Sequence, residues 1–416
     1  MRVLLCNNFV RGVSGTDAGV LIEEQGLRDL GHEVTLLRRD NSEFGAAGPV
    51  RKLTLAASTA YSFSTRRRVG ALLDGGRFDI VHVNNVVPLI TGSIYDACRG
   101  RVPTVATLHN FRAICPSSYL FREGRPCQAC LRWAALPAVV HGCYRGSRVQ
   151  SAGLVAARWI DRARGRPLGH AADHYFAVSE HMRRRHAEWG IDPKDVTVVH
   201  NPAEDLGSTA KGFACGRSGR FLGEGSTDSG AQPRIMTYVG ALLEAKGVGS
   251  LIDLAAALPE FTFRLIGSGA DRQSLARRME RLRLGNVELC GFLAGADRVP
   301  VWAGSFVTLV PSRWEEPFGV VVPESYSLGV PVVATGRGGL AELIDDGRTG
   351  LIDDFADPVG LAARLRALWH DRSRYWAMSR AARARYEQAF APKVFARNVE
   401  QGLMHVLEKW PPASRD

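Results

Sequence analysis

Short apolar runs recur along this chain, and stretches with helical spacing separate them. The runs at 2–6, 33–37, 79–83, 104–108, 175–178 and 196–199 are close to continuously apolar. A strand covered on both faces needs that pattern, because neither face meets water. Residues 18–30 carry the spacing of a helix and stop at Gly31, a C-cap position. Ser179-Glu180 stands as an N-cap before a helix at 181–189. The second half repeats the rhythm, with strands at 235–239, 261–266, 287–290, 306–310 and 332–333 and helices at 248–258, 272–282 and 320–328. Residues 358–410 read as mostly helical and rich in Ala and Arg. Such alternation predicts an α/β protein with parallel, doubly wound sheets. Between the halves, 203–233 is rich in Gly and Ser and poor in apolar residues, which marks a linker or insertion. The arrangement this predicts is two facing Rossmann-like domains with a cleft between them, over 1–202 and 234–392, followed by 393–416.

Composition adds exclusions. At 45% hydrophobic and 23% charged, the 416 residues are those of an ordinary globular chain. No stretch reaches the roughly 18 consecutive apolar residues that span a bilayer. The first apolar run is broken by Asn7-Asn8, so it reads as a strand and not a signal peptide, and the expected location is the cytoplasm. The net charge of +11 is compatible with a phosphorylated substrate or with peripheral contact to an anionic membrane at its inner face. Arg66-Arg67-Arg68, Arg183-Arg184-Arg185 and the series Arg158, Arg162, Arg164, Arg166 carry much of it. No helix-turn-helix, zinc finger or RNP-type aromatic pattern supports nucleic acid as the partner.

Candidate chemistry concentrates in the second half. Glu316 and Glu324 flank Phe318-Gly319 and a β-branched run, directly after the apolar strand at 306–310. Two glutamates at this spacing are by themselves no more than solvated acids. Placed after a strand and at the start of a helix, they occupy the position where open α/β sheets bind ligands. Gly240 opens a loop that ends in Lys246-Gly247, where an ammonium could meet a diphosphate. Gly267-Ser-Gly269 closes another strand; with Arg272 in the sixth position it is not a dinucleotide fingerprint, and a simple turn explains it as well. In the first half, Gly12 and Gly15 follow the first strand, where backbone can approach a ligand closely. His109 ends the strand at 104–108 and faces the predicted cleft, while His82 sits inside a strand and reads as packed within the sheet.

The run from Glu316 to Glu324, with Gly329-Val-Pro-Val-Val333 and Gly338-Gly339 beyond it, resembles the Glu-x7-Glu signature of the retaining glycosyltransferases of family 4, which have the GT-B fold. Matching features extend from near residue 1 to near residue 350. The resemblance implies a nucleoside-diphosphate sugar as donor and a glycan, lipid-linked or small-molecule acceptor, with polysaccharide biosynthesis as a setting. It implies that Glu316 and His109 lie by the transferred sugar, that Lys246 meets the diphosphate and that Glu324 binds the ribose. The backbone at Phe318-Gly319, with Gly240, Gly267 and Gly15, would complete the donor site. A C-terminal helix at 393–410 would cross back to the first domain. The arginine that usually follows the glycine of the lysine loop is Ala241 here, so one expected cation is missing. No catalytic metal is expected. The alternatives are a sugar-nucleotide epimerase of the same fold and a catalytically inactive nucleotide-sugar-binding protein.

Cys115, Cys127, Cys130 and Cys143 cluster in one loop-rich region. The central Cys-x2-Cys suits tetrahedral zinc, but the outer spacings are longer than in common zinc ribbons. A structural zinc, unlinked thiols, and disulfide or redox use remain open. Cys6 and Cys290 read as small buried hydrophobes.

Overall fold

The computed structural model describes residues 1–9, 15–44, 59–76, 78–132, 135–165, 171–210 and 234–410. It divides into two compact units, one of Met1–Leu120, Pro126–Asn201 and Pro392–Asp416, the other of Phe121–Arg125 and Pro202–Ala391.

The first unit is built on β1 (Arg2–Phe9), β2 (Glu33–Asp40), β3 (Ile80–Asn85) and β4 (Thr104–Leu108), then β7 (His174–Ala177) and β8 (Val196–Val198). Two-residue strands β5 (Phe121–Arg122) and β6 (Arg125–Pro126) form a separate small sheet. The main sheet runs β2-β1-β3-β4-β7-β8, paired in parallel. β1 continues past the apolar run through Asn7 and Asn8, both fully buried. Asn7 donates to Asp17 and Asn8 to Asn41, at 3.1 and 3.0 Å, so both buried amide nitrogens are satisfied, while Asn7 Oδ1 has no partner among the described residues. Helix Gly15–Asp29 matches the expected 18–30 but starts three residues earlier.

Helix Pro392–Lys409 belongs to this unit. Its Phe395, Val399, Leu403 and Val406 form one apolar stripe that enters the core beside Val3, Leu5, Ile80 and Phe176. Gly26 lets the first helix and this one approach closely, since a Cβ there would lie 2.5 Å from that of Ala396.

The second unit holds β9 (Ile235–Val239), β10 (Thr262–Ile266), β11 (Val287–Gly291), β12 (Val307–Val310), β13 (Val332–Ala334) and β14 (Gly350–Ile352). Their order is β11-β10-β9-β12-β13-β14, again parallel. The chain therefore winds outward from β9 in one direction and from β12 in the other. Next to each other, these two strands make the switch point at whose carboxyl ends ligands bind in open α/β sheets. Behind the sheet, Phe261, Phe306, Trp369 and Tyr375 pack edge to face or tilted within one core.

Residues 203–210, read from sequence as the start of the linker, are instead ordered. They include helix Leu206–Ala210, and Leu206 is buried against Ile266, Trp302 and Val330. The rest of that expected linker, 211–233, lies outside the described residues.

Candidate active site

The loops after β9 and β12 carry the two charges that the sequence singles out. After β9 the chain turns through Gly240 to a single 3-10 turn at Glu244–Lys246. After β12 it runs through Ser312, Arg313 and Trp314 to Glu316. The two loops are tied by backbone, since Arg313 N–H donates to Ala245 C=O at 2.9 Å. Lys246 Nζ then reaches Glu316 Oε1 at 2.6 Å and lies 4.9 Å from the centre of the Trp314 ring. Glu316 is only 5% exposed. A carboxylate there is costly unless it is paired and hydrogen-bonded. Oε1 receives three donors: Lys246, Ser312 Oγ at 2.7 Å and Trp314 Nε1 at 2.8 Å. Among the described residues nothing donates to Oε2.

The loop around Glu316 is held by the glycine pair downstream. Gly338 bridges Glu316 in parallel, and Gly339 N–H donates to Glu316 C=O at 2.7 Å. Gly338 has φ +66°, and a Cβ there would lie 2.3 Å from Glu316 O. Only glycine fits both demands. Phe318 points into the core against Phe390, so its ring is packing and only its backbone, with Gly319, can take part in a site. Gly267 is required for a different reason: a Cβ would lie 1.8 Å from Gly240 O. It buttresses the loop that leads to Lys246.

Glu324 sits on the two-turn helix Val321–Ser327. Arg298 holds it with two bonds, Nη1 to Oε2 at 2.9 Å and Nη2 to Oε1 at 2.6 Å. Burial pushes the Glu324 carboxyl up, and the guanidinium opposes that shift.

In the first unit, His109 follows β4. Its Nε2 is 2.7 Å from Asn84 Oδ1, and Asn84 Nδ2 donates to Glu23 Oε2 at 3.0 Å. The other oxygen of Glu23 accepts from His82 Nδ1, and His82 Nε2 meets Thr107 Oγ1 at 2.8 Å. This chain fixes a tautomer. The Asn84 amide nitrogen donates to Glu23, so the Asn84 oxygen faces His109 and accepts from it. His109 therefore carries its proton on Nε2. Nδ1 is left as an acceptor with no partner among the described residues. Burial, with nearby His82 adding to it and Asn201 working the other way, pulls His109 down to about 3, so the ring is neutral. His82 is 1% exposed and packs within the sheet, as expected. Gly15 is exposed at the start of helix Gly15–Asp29, and Gly12 lies outside the described residues.

Among the described residues no three His, Cys, Asp or Glu side chains are placed to hold a metal ion. Cys115, Cys127, Cys130 and Cys143 form no disulfide. Cys130 lies on helix Ala129–Arg132 and turns inward against Ala135, Ala138 and Val155, while Cys127, just before that helix, is half-buried. Burial, with Cys115 nearby, pushes the Cys130 thiol up to about 11, so it packs as a neutral group.

Five polar partners were not anticipated. Ser312 and Trp314 lie four and two residues before Glu316, in a loop whose internal hydrogen bonds have no periodicity to announce them. Arg298, Asn84 and Glu23 come from distant elements, and nothing in the sequence links them to the residues they hold.

Two family models match the chain. One, described as Glycosyltransferase Family 4, covers residues 15–205, and one described as Glycosyl transferases group 1 covers residues 225–385. The glycogen synthase of Thermus caldophilus is 27% identical over 299 residues, an alignment that spans 68% of this chain and 64% of that protein. Among solved structures, Anabaena Alr3699/HepE in complex with UDP superposes with TM-score 0.64 at 18% identity, over 97% of this chain and all of the other. The sucrose-phosphate synthase of Thermosynechococcus elongatus superposes with TM-score 0.68 at 16% identity, over 98% of this chain and all of the other. At these identities the structural likeness shows the fold.

Proposed function

The chain belongs to the GT-B glycosyltransferases, and from that premise we propose that it is a retaining, family 4-type hexosyltransferase that moves a sugar from a nucleoside-diphosphate sugar to a glycan, lipid-linked or small-molecule acceptor. The observation that carries the proposal is the Lys246–Glu316 pair, set on adjacent loops at the switch point of the second sheet. An ammonium has three donors. Lys246 can keep Glu316 and still donate to a diphosphate oxygen. When the carbon–oxygen bond to the sugar breaks, the diphosphate gains negative charge, and a fixed cation beside it lowers the barrier.

Glu316 presents its Oε2 to a sugar hydroxyl, because Oε1 is occupied by three donors. In the same unit, Glu324 accepts from the ribose hydroxyls, oriented by Arg298. The first unit supplies the acceptor surface, and the neutral His109 offers Nδ1 as an acceptor to a substrate hydroxyl. Ala241 leaves Lys246 as the cation of this loop that the diphosphate meets. HepE, a structural neighbour, has been solved with UDP and with UDP-glucose, which makes uridine nucleotides the first donors to try.

The test is a thermal-shift screen of nucleotide sugars, followed by a transfer assay with the donor that stabilises most. Glu316→Ala should fold and lose transfer. Near-normal turnover by that variant would remove Glu316 from the reaction, and turnover of donor to an isomer without any acceptor would replace transfer by epimerisation.

A further inference from the structure

We propose that one face of the first unit, carrying Phe63, Val149 and Trp159, docks on an anionic lipid surface. Among the described residues, five of the eleven large hydrophobic side chains that are exposed lie in this unit: Leu136 at 48%, Val140 at 62%, Val149 at 82% and Trp159 at 47% on two packed helices, and Phe63 at 70% at the start of a third, linked to them through Tyr61 and Arg164. Scattered single exposures are ordinary, but a group of this size on adjoining helices marks an interaction surface.

The arrangement has a physical logic. On helix Arg148–Ala163, residues Val149, Ala152, Ala156, Trp159 and Ala163 recur at intervals of three and four, so they fall on one stripe, while Ser151 and Val155 on the adjoining stripe are buried. Helix Leu136–Val140 packs beside it through Ala138 against Val155, and presents Leu136 and Val140 outward. At the other end, Phe63 stands edge-on to Tyr61, and the Arg164 guanidinium lies over the same Tyr61 ring at 4.4 Å. Helix Phe63–Asp74, which Phe63 opens, exposes Arg66, Arg67 and Arg68. Arg148 and Arg162 are exposed at the two ends of the apolar stripe.

Two of the nearby acids are engaged, and a third, Asp74 at the far end of helix Phe63–Asp74, is exposed and paired with Arg101. Asp96 accepts from Tyr61 OH at 2.7 Å and from Arg164 at 3.0 Å, and the Asp161 carboxylate lies against Gly92. Among the described residues, Arg66, Arg67, Arg68, Arg148 and Arg162 therefore leave the outward charge beside these side chains predominantly positive. The other arginine run is different in kind, because Arg183 and Arg185 are each paired on their own helix with Glu180 and Glu188.

An apolar stripe bordered by arginines fits the interface of a bilayer, where the apolar side chains enter and the guanidinium groups meet headgroup phosphates. A second copy of the chain is the poorer occupant, since it would bring like-charged rims together. Among the described residues no helix is long and apolar enough to cross a membrane, so the contact is one of docking. The proposal stands apart from the transfer reaction and can fail without it.

The experiment is vesicle flotation with the full chain, using phosphatidylcholine alone and phosphatidylcholine mixed with phosphatidylglycerol. The wild type should float with the anionic vesicles only and detach in high salt. Val149→Glu with Trp159→Glu, and separately Arg66→Glu with Arg67→Glu, should each weaken binding by about tenfold or more with an unchanged unfolding temperature. The arginine pair lies wholly on the surface, so it keeps the test valid if the apolar pair does not fold. Absence of binding to anionic vesicles, or equal binding by the folded variants, overturns the proposal. Self-association in sedimentation that the Val149/Trp159 variant abolishes would overturn it in favour of a second copy.

Discussion

Glu316 and Lys246 show how little freedom a buried charge has. With Glu316 at 5% exposure, every donor on Oε1 is part of what makes ionisation tolerable there. Replacing Trp314 by Phe keeps a ring beneath the Lys246 ammonium and removes only the indole N–H. It should cost about 1–2 kcal/mol, read as the shift in urea midpoint, and should lower kcat more than it raises the donor KM. Arg298→Met makes a sharper case. It strips the cation from Glu324, whose carboxyl burial already pushes up. With nothing to oppose burial, the carboxyl rises further, so donor affinity should weaken as pH falls toward the acid side of neutrality. Measuring donor KM against pH in both proteins checks this, and parallel profiles would contradict it. In the first unit, Asn84→Leu cuts the hydrogen-bonded link between Glu23 and His109, and His109 should lose its fixed tautomer. The expected result is a fall in kcat of about ten- to a hundredfold with donor KM little changed.

Elements explain which of these residues could be read in advance. Glu316 and Glu324 were legible because strand, loop and helix follow each other within one stretch of chain, and the strand at 307–310 announces itself by continuous apolar residues. Lys246 was legible for the same reason, as the end of a loop between β9 and a helix. Arg298 was not, because its place beside Glu324 is set by packing around Trp302 and not by spacing. Asn84, Glu23 and His109 meet only because β1 lies next to β3 and β3 next to β4, an order that the run of strands does not state. The short strand β14 escaped notice because three residues carry no alternation, and its Gly350 is there to let β13 approach: a Cβ would lie 2.0 Å from Val332 O. The same kind of close approach yields a prediction at the helix pair. Gly26→Ala would press a methyl to 2.5 Å from Ala396 and should cost about 1–3 kcal/mol, seen as a lower unfolding temperature with transfer kinetics intact below it.

For the molecule as a whole, the first unit's stability has a pH signature set by its buried histidines. His109 sits at about 3, and His174 and His186 at about 4, each lowered chiefly by burial. Their ordinary value is near 6.5. Below that value the unfolded chain takes up protons that the folded unit refuses, so stability is full above it and is lost as pH falls toward 4. Each histidine contributes at most about 1.4 kcal/mol per pH unit across that window. Unfolding followed at neutral and mildly acidic pH should show this loss, and His186→Leu should flatten it; a pH-independent transition would contradict the burial of these rings. The central claim, that Lys246 beside Glu316 holds the diphosphate of a sugar nucleotide, is tested most directly by calorimetric titration of UDP, GDP and ADP into the wild type and Lys246→Ala. One of the nucleotides should bind the wild type, and the variant should bind it at least about tenfold more weakly. Equal affinity in the two proteins, or no binding of any of them to the wild type, would contradict the claim.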